Sequence, residues 1–555
     1  MIGGQGSGRW WRWWRWALVA TLVAGLAYAV TAAGDPGSAS LFSPGRRARP
    51  AHAAARRWRS DPVQVTIAAQ APLAAVPPSF LGLSTAYWSL PHWASQMPLL
   101  ERVLSLVHPR GTGRLILRIG GDSADHSFWD PQALPLERWA FSIQPRELRQ
   151  IRQLVRTLRL RLILDLNLIT GSPAQAAQWA QAADKALPKG SILAFEVGNE
   201  PDIYSRAAWL AVTGGRADLR RPLPGSLTAR SYVSDFRAYA RALRALGLPT
   251  MLAGPVIARP VAHVDWVRNL TAQAGGALGM VTIHRYPLAG CMRRASPLEA
   301  TVGHLLSPRL AQGMAAALRP IIAAAHDAEL PIRLTELNSV DCGGRPGVSN
   351  TFATALWAPG ALFALARAGI DGVNVHIRAH TINAPFAITG AGLRARPLLY
   401  GLILFARALG PNAHLVRVGV HARRPLNLQV YAVRVGRDRL HVVLINKSSR
   451  PARVLLRLPA TANARTQRLL APTPAAESGV TLGGRWLGSD GRWRGTAVNS
   501  AVAPRAGTYT VDVRRTSAVL LTVPVTPGAL GSPATGARRS RAGGRALPAA
   551  RFPRR

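Results

Sequence analysis

Two short stretches end an apolar run on a glutamate with another polar group beside it. "AFEVGNEPDI" (194–203) carries Ala, Phe and Val straight into Asn199-Glu200-Pro201, and "PIRLTELNS" (331–339) brings Glu336 to the end of a similar run. A Glu-Pro step stops a strand, because proline has no N–H for the ladder and restricts the residue before it. One such glutamate alone is ordinarily a surface carboxylate in a turn. Two of them at the ends of different strands of one sheet are the raw material for cleaving a glycosidic bond. A retaining site needs two carboxyls about 5–5.5 Å apart, one a nucleophile and one an acid/base, whereas an inverting site sets them roughly 6.5–9.5 Å apart. Sequence spacing leaves both geometries open.

Neighbouring residues fit that chemistry. "TIHRYP" (282–287) offers His284 and Tyr286 at a third strand end. The tyrosine is placed to orient an ionised Glu336, and His284 to hydrogen-bond near the acid/base. Asn199 is placed to bind a sugar 2-hydroxyl, a contact that strengthens as the oxocarbenium-like state forms. A single His or Tyr at a strand end is usually structural; five polar groups at three strand ends make a concerted role the better reading.

What must position them is a barrel. Eight β-rich runs alternate mostly with alanine- and leucine-rich helical segments: "PSFLGLSTAYW" (78–88), "RLILRIGG" (114–121), "LRLILDLNL" (160–168), "SILAFEVGNE" (191–200), "PTMLAGPV" (249–256), "GMVTIHRY" (279–286), "PIRLTELN" (331–338) and "DGVNVHIR" (371–378). Their number and order predict an α/β fold, a (β/α)8 TIM barrel over 78–411, where reactive groups gather at the C-terminal strand ends. Glu200 then ends the fourth strand and Glu336 the seventh, so the two face one another across the mouth. A doubly wound open sheet is the alternative, but no Gly-rich phosphate fingerprint follows an early strand. From residue 412 to 526 period-two runs such as "LNLQVYAVRV" predict a C-terminal all-β sandwich. The segment 61–77 has the same texture and is expected to add an N-terminal strand to it.

The chain has 555 residues, 48% of them apolar, enough for a large core and a second domain. Its net charge of +43 is almost entirely arginine; the lysines are Lys185, Lys189 and Lys447. The arginines are scattered rather than clustered with aromatics, so the charge does not argue for specific nucleic-acid binding. It does favour anionic polymers as partners. "RWWRWWRWALVATLVAGLAYAVTAA" within residues 1–33 has the layout of an export signal, or, uncleaved, of an N-terminal membrane anchor. Both readings put the rest of the chain outside the cytoplasm, secreted or membrane-anchored. Residues 34–60 read as a flexible linker and 527–555 as a disordered basic tail. Cys291 and Cys342 fit an oxidising compartment and are expected to form one disulfide, bracing loops beside Glu336.

Taken together, "LRIGGDSAD" (117–125), "FEVGNEPD" (195–202), "TIHRYPL" (282–288), "LTELNSVDCGGRPGVSNTFA" (334–353) and "GVTLGGRWLGSDGRWRG" (479–495) resemble glycoside hydrolase family 79, the family of heparanase and microbial β-glucuronidases. The resemblance implies a retaining mechanism with Glu200 as acid/base and Glu336 as nucleophile, contacted by Tyr286. It implies that the N–H groups of Gly343 and Gly344 receive the glucuronate carboxylate, and that Asp122 and Ser123 reach hydroxyls of the terminal sugar. The sequence departs from the family in "NVHIRAHTINAPF" (374–386), which lacks a tyrosine near that carboxylate and offers His376, Arg378 or His380 instead.

The reading is therefore a retaining glycosidase of β-glucuronidase type, acting on a carbohydrate that includes anionic glycans. The alternatives are a β-glucosidase or β-xylosidase with the same two glutamates, and a non-catalytic cell-surface carbohydrate-binding protein. No cofactor is expected, and no His/Cys cluster has metal-ligand spacing.

Overall fold

The computed structural model describes residues 61–526, apart from 109–110, 135, 214–226, 249–250, 292–295, 297, 459 and 461. Residues 1–33, read as an export signal or anchor, the linker 34–60 and the basic tail 527–555 lie outside the described residues. No described helix is long and apolar enough to cross a membrane.

Eight parallel strands close into a barrel: Leu81–Ala86, Ile116–Gly120, Arg161–Leu166, Ile192–Val197, Leu252–Ile257, Leu278–Arg285, Ile332–Leu337 and Gly372–His376. They follow in chain order, and the eighth pairs with the first through Val373 and Leu81. The strands are apolar on both faces because one face fills the barrel and the other meets the helices. The helices begin where the sequence gives them caps. The Ser172 hydroxyl accepts from the Gln175 N–H, the Gln175 side chain accepts from the Ser172 N–H, and Pro173 fills the first helical position. At the closed end of the barrel, Arg333 fills the space that Gly82 and Gly372 leave; a Cβ on Gly372 would lie 1.8 Å from its Nη1.

The C-terminal domain is one continuous ten-stranded sheet rather than two separate ones. Strands from both ends of its order, among them Ala452–Arg457 and Ser517–Pro524, share an apolar core containing Val454, Val511 and Leu521, so the sheet curls over on itself. Val63–Ala75 is part of it: this strand runs antiparallel to His414–His421 and parallel to Ala452–Arg457, with every second residue buried along its first eight.

Two helices of the barrel, Phe352–Ala368 and Pro397–Ala408, pack against this sheet. Phe363 stacks on Tyr431 with centroids 4.7 Å apart, and the Tyr431 hydroxyl donates to the Gly360 carbonyl. Gly360 leaves room there for the Gln429 amide, since a Cβ would lie 2.5 Å from its Oε1. The same joint buries Lys447, 3% exposed, whose Nζ has no hydrogen-bond partner among the described residues. Burial pushes its amine down to about 7.

Because Lys447 titrates lower in the folded than in the unfolded chain, the unfolded state binds the extra proton between those two values. Stability therefore rises with pH through that window, and the burial cost is complete below it. Lys447→Met is expected to raise the melting temperature at pH 6 by removing on the order of 2 kcal/mol of burial cost. The gain should shrink toward pH 10; thermal melts at the two pH values check both.

Candidate functional site

The site is assembled around one buried guanidinium. Arg118, on the second strand, is fully enclosed. Its Nε donates to Glu196 Oε2 at 2.7 Å, its Nη2 to Asp165 Oδ2 at 2.8 Å and Asn199 Oδ1 at 3.1 Å, and its Nη1 to Glu336 Oε1 at 2.7 Å. One cation thus faces three carboxylates from the third, fourth and seventh strands. Burial raises Asp165 above the usual carboxylate range, with the Arg118 charge only partly offsetting it.

Glu336, 5% exposed, is gripped on its other oxygen as well. The Tyr286 hydroxyl donates to Oε2 at 2.5 Å, and His376 Nδ1 lies 3.1 Å from the same atom and 2.8 Å from the Tyr286 oxygen. Since the one Tyr286 proton goes to Glu336, the His376 nitrogen is the donor in this triangle. Burial alone would raise the Glu336 pKa, but His376, His284 and Arg118 outweigh it and hold the group well below its ordinary value.

Glu200 is in the opposite condition. The fourth strand stops at Val197, and Gly198 with φ +78° turns the chain so that Glu200 sits in a left-handed conformation at φ +50°. This costs about 1–2 kcal/mol for a residue with a side chain. The Glu200 N–H is tied to the Val256 carbonyl at 3.0 Å. Burial raises its pKa, His284 partly counters that, and the charges of Glu336 and Asp122 add to the rise. His284, fully enclosed, bridges the pair: its Nδ1 is 2.9 Å from Glu200 Oε1 and 3.8 Å from Glu336 Oε2. Oxygens of the two glutamates and a His284 nitrogen all lie within 4.8 Å of one another.

The other residues singled out in the sequence divide. Asn199 is buried with its carbonyl on Arg118, which turns its amide nitrogen toward Asp122 at 3.5 Å. Asp122 is exposed at the mouth and paired with Arg378 at 2.8 Å; the Arg378 guanidinium lies 4.9 Å above the Trp88 ring. Ser123 does not reach the mouth. The Gly120-Gly121 turn rotates it into the interior, where its hydroxyl donates to the Gly120 carbonyl and accepts from the Tyr87 N–H. Gly344 is also not free to receive an anion, because its N–H donates to the Asp341 carbonyl at 2.8 Å. Its lack of a Cβ has a packing reason, since Asn383 and Ser349 lie under 3.0 Å from where one would be. The Gly343 N–H is accepted by no described group. Of the three residues offered in place of a tyrosine, His376 is committed to Glu336 and Tyr286, and Arg378 to Asp122.

Cys291 and Cys342 are joined, with Cα atoms 6.0 Å apart. The disulfide ties the loop after the sixth strand to the loop after the seventh, beside the Gly290 N–H to Asp341 Oδ1 hydrogen bond at 2.6 Å. Among the described residues, two groups bring potential metal ligands together: Glu200, His284 and Glu336, and Asp341 with the two cysteines. The first already has Arg118 on Glu336, and disulfide sulfurs are not thiolates; neither is a built cation site.

Sequence reasoning missed Arg118, Asp165, Glu196 and the contact of His376 with Glu336. The first three were visible as single charges inside otherwise apolar strands, in "LILRIGG", "LILDLNL" and "AFEVGNE". A charge is rarely fully buried unless paired, so three in neighbouring strands point to one internal network.

A closed (β/α)8 barrel joined to a C-terminal β domain, with two glutamates meeting over its mouth, is the architecture shared with glycoside-hydrolase barrels. Residues 426–520 match the glycosyl hydrolase family 79 C-terminal beta domain. Heparanase of Gallus gallus is 26% identical over 239 residues, 42% of this chain and 41% of that protein. The chain thus matches about two fifths of its curated relative's length. A solved 4-O-α-L-rhamnosyl-β-D-glucuronidase from Fusarium oxysporum 12S superposes with TM-score 0.67 at 16% identity, over 83% of this chain and all of that one. A GH51 arabinofuranosidase from Xanthomonas axonopodis pv. citri does so with TM-score 0.59 at 15% identity, over 83% and 99%. At these identities the two structures speak for the fold alone. The β-domain match and the heparanase relative bear out the resemblance to glycoside hydrolase family 79.

Removing the central cation leaves buried carboxylates without a partner. Arg118→Met is expected to cost about 3–5 kcal/mol of stability, as breaking a buried ion pair from one side does. Urea unfolding followed by tryptophan fluorescence measures it; a loss below about 1 kcal/mol, the scale of an exposed ion pair, would mean the network is not under electrostatic load.

Proposed function

We propose that the chain is a retaining glycoside hydrolase of β-glucuronidase type. The observation that carries this is the pair itself: Glu200 and Glu336 oxygens within 4.8 Å of one another, one carboxyl raised in pKa and the other lowered. Retaining enzymes hold their carboxyls about 5–5.5 Å apart, too close for the water that an inverting enzyme seats between them. Environments that push two carboxyls apart in pKa assign acid and base roles.

In the first step a Glu336 oxygen bonds to the anomeric carbon as the bond to the leaving oxygen breaks. That oxygen takes the proton from Glu200. Tyr286, His376 and Arg118 keep Glu336 ionised and aimed, and the Asn199 amide nitrogen is available to the sugar 2-hydroxyl. In the second step Glu200, now a carboxylate, takes a proton from water as the water oxygen attacks the anomeric carbon and frees Glu336. His284 stands between the two glutamates and hydrogen-bonds Glu200 throughout.

Glucuronate as the sugar is supported by the heparanase relative and by the Gly343 N–H, which no described group accepts. Exported or surface-anchored placement is supported by the N-terminal pattern and the Cys291–Cys342 disulfide, which suits an oxidising compartment.

The test is hydrolysis of 4-nitrophenyl β-D-glucuronide beside the β-D-glucoside and β-D-xyloside. Turnover of the glucuronide is expected, falling at least ~10⁴-fold in Glu336→Ala, as loss of a nucleophile does. Turnover of a neutral glycoside alone would keep the mechanism and replace the sugar. Turnover unaffected by Glu336→Ala would remove the site.

A further inference from the structure

Three consecutive N–H groups set the turn that presents Glu200. The Gly198 N–H donates to the Leu166 carbonyl at 3.1 Å and the Glu200 N–H to the Val256 carbonyl at 3.0 Å, so the third and fifth strands hold the turn from either side. The middle N–H, on Asn199, goes to a side chain instead. It donates to the Tyr204 hydroxyl at 3.1 Å.

Tyr204, 7% exposed, follows the short 3₁₀ helix Pro201–Ile203, which folds it back over the turn. Its hydroxyl donates in turn to Asp125 Oδ2. Asp125, 1% exposed, closes the relay: its Oδ1 accepts the Leu168 N–H at 2.7 Å and the Ile169 N–H at 3.0 Å. The bonds run from N–H to hydroxyl to carboxylate, and a phenol links them because it accepts and donates at one oxygen. Loops after the second, third and fourth strands thus meet at one buried carboxylate. The side facing the fifth strand is fastened separately, where Asp202 accepts the Ala258 and Arg259 N–H groups, both at 2.8 Å.

The relay fixes the residue immediately before Glu200. Arg118 holds the Asn199 side-chain oxygen at 3.1 Å and Tyr204 holds its backbone N–H, so Asn199 is pinned at both ends. Glu200 needs such support, since it stands in a left-handed conformation at φ +50°. Glu336 has its own fasteners in Tyr286 and His376.

We infer that Asp125 and Tyr204 are positioning residues for proton delivery by Glu200, holding the Asn199–Glu200 turn where its carboxyl meets the leaving oxygen. The inference rests on the glycosidase reading above and names the step that depends on the relay. That step is departure of a leaving group that must be protonated.

Two variants break the relay at different bonds. Tyr204→Phe removes the hydroxyl and keeps a ring beside Trp209, whose centroid is 6.4 Å away. Asp125→Asn keeps an oxygen for the Leu168 and Ile169 N–H groups and turns a donor toward Tyr204. Amide hydrogen exchange on the full chain reads the tether. Peptides covering residues 198–202 are expected to exchange ~10-fold faster in both variants, the scale of one lost hydrogen bond, with the strand Ile192–Val197 unchanged. Aryl β-glycosides of the sugar turned over in the assay above read the catalytic use. With phenol as leaving group kcat/KM is expected to fall ~10-fold or more, part of the roughly 10²–10⁴-fold that a general acid supplies. With 2,4-dinitrophenol, which departs as the anion, it is expected to stay within ~2-fold. Unchanged exchange in both variants overturns the inference, as does an equal loss on the two leaving groups, which marks a general structural defect. Exchange needs no turnover, so it fails independently of the nitrophenyl glycoside assay that decides the catalytic reading.

Discussion

Everything at the mouth depends on a guanidinium that never meets solvent. Arg118 extends from the second strand into the barrel and takes hydrogen-bond acceptors from the third, fourth and seventh. Its planar fork suits this, because the donors leave in fixed directions and each finds a carboxylate or amide oxygen. Positioning follows from the same bonds. Glu336 is held from beneath on Oε1, and the Asn199 carbonyl is fixed so that its nitrogen faces outward. Three carboxylates around one cation crowd negative charge in the interior, and burial raises the pKa of Asp165 there.

Above that foundation the two glutamates differ because their surroundings differ. Glu336 collects donors from the second, sixth and eighth strands, and each favours its ionised form. Glu200 stands on a strained turn with His284 as its main partner, and burial dominates. His284 stands between the two, with its Nδ1 2.9 Å from Glu200 Oε1 and 3.8 Å from Glu336 Oε2. Its own pKa is lowered by burial but raised more strongly by Glu336 and Glu200, so the net direction is upward. The disulfide and the paired loops after the sixth and seventh strands then hold Tyr286 and Glu336 on a common support.

Much of this was legible in the sequence. Apolar runs alternating with helical segments give the barrel, because a parallel strand buried on both faces must be apolar throughout. Glu200, Glu336, His284 and Tyr286 could be read from strand ends, where polar residues interrupt that rule. The inward turn of Ser123 and the internal hydrogen bond of Gly344 were not legible from motif position. Ser123 is turned inward by the Gly120-Gly121 bend, and Gly344 spends its N–H within its own loop; both depend on local φ angles that residue type does not dictate. The curled single sheet was likewise hidden, since alternation reveals which residues face a core but not which strands share it. Arg118 was in plain view yet unread, because its partners lie 47 to 218 residues away.

The central claim is that a Glu336–sugar bond forms and is then broken by water entering from the opposite face, the one the leaving group vacated. The anomer first released settles this most directly. Proton NMR during early hydrolysis of 4-nitrophenyl β-D-glucuronide, before mutarotation, should show the β-anomer of the free sugar appearing first. The α-anomer appearing first would mean single displacement, and would contradict the account of Glu336 as the attacking group.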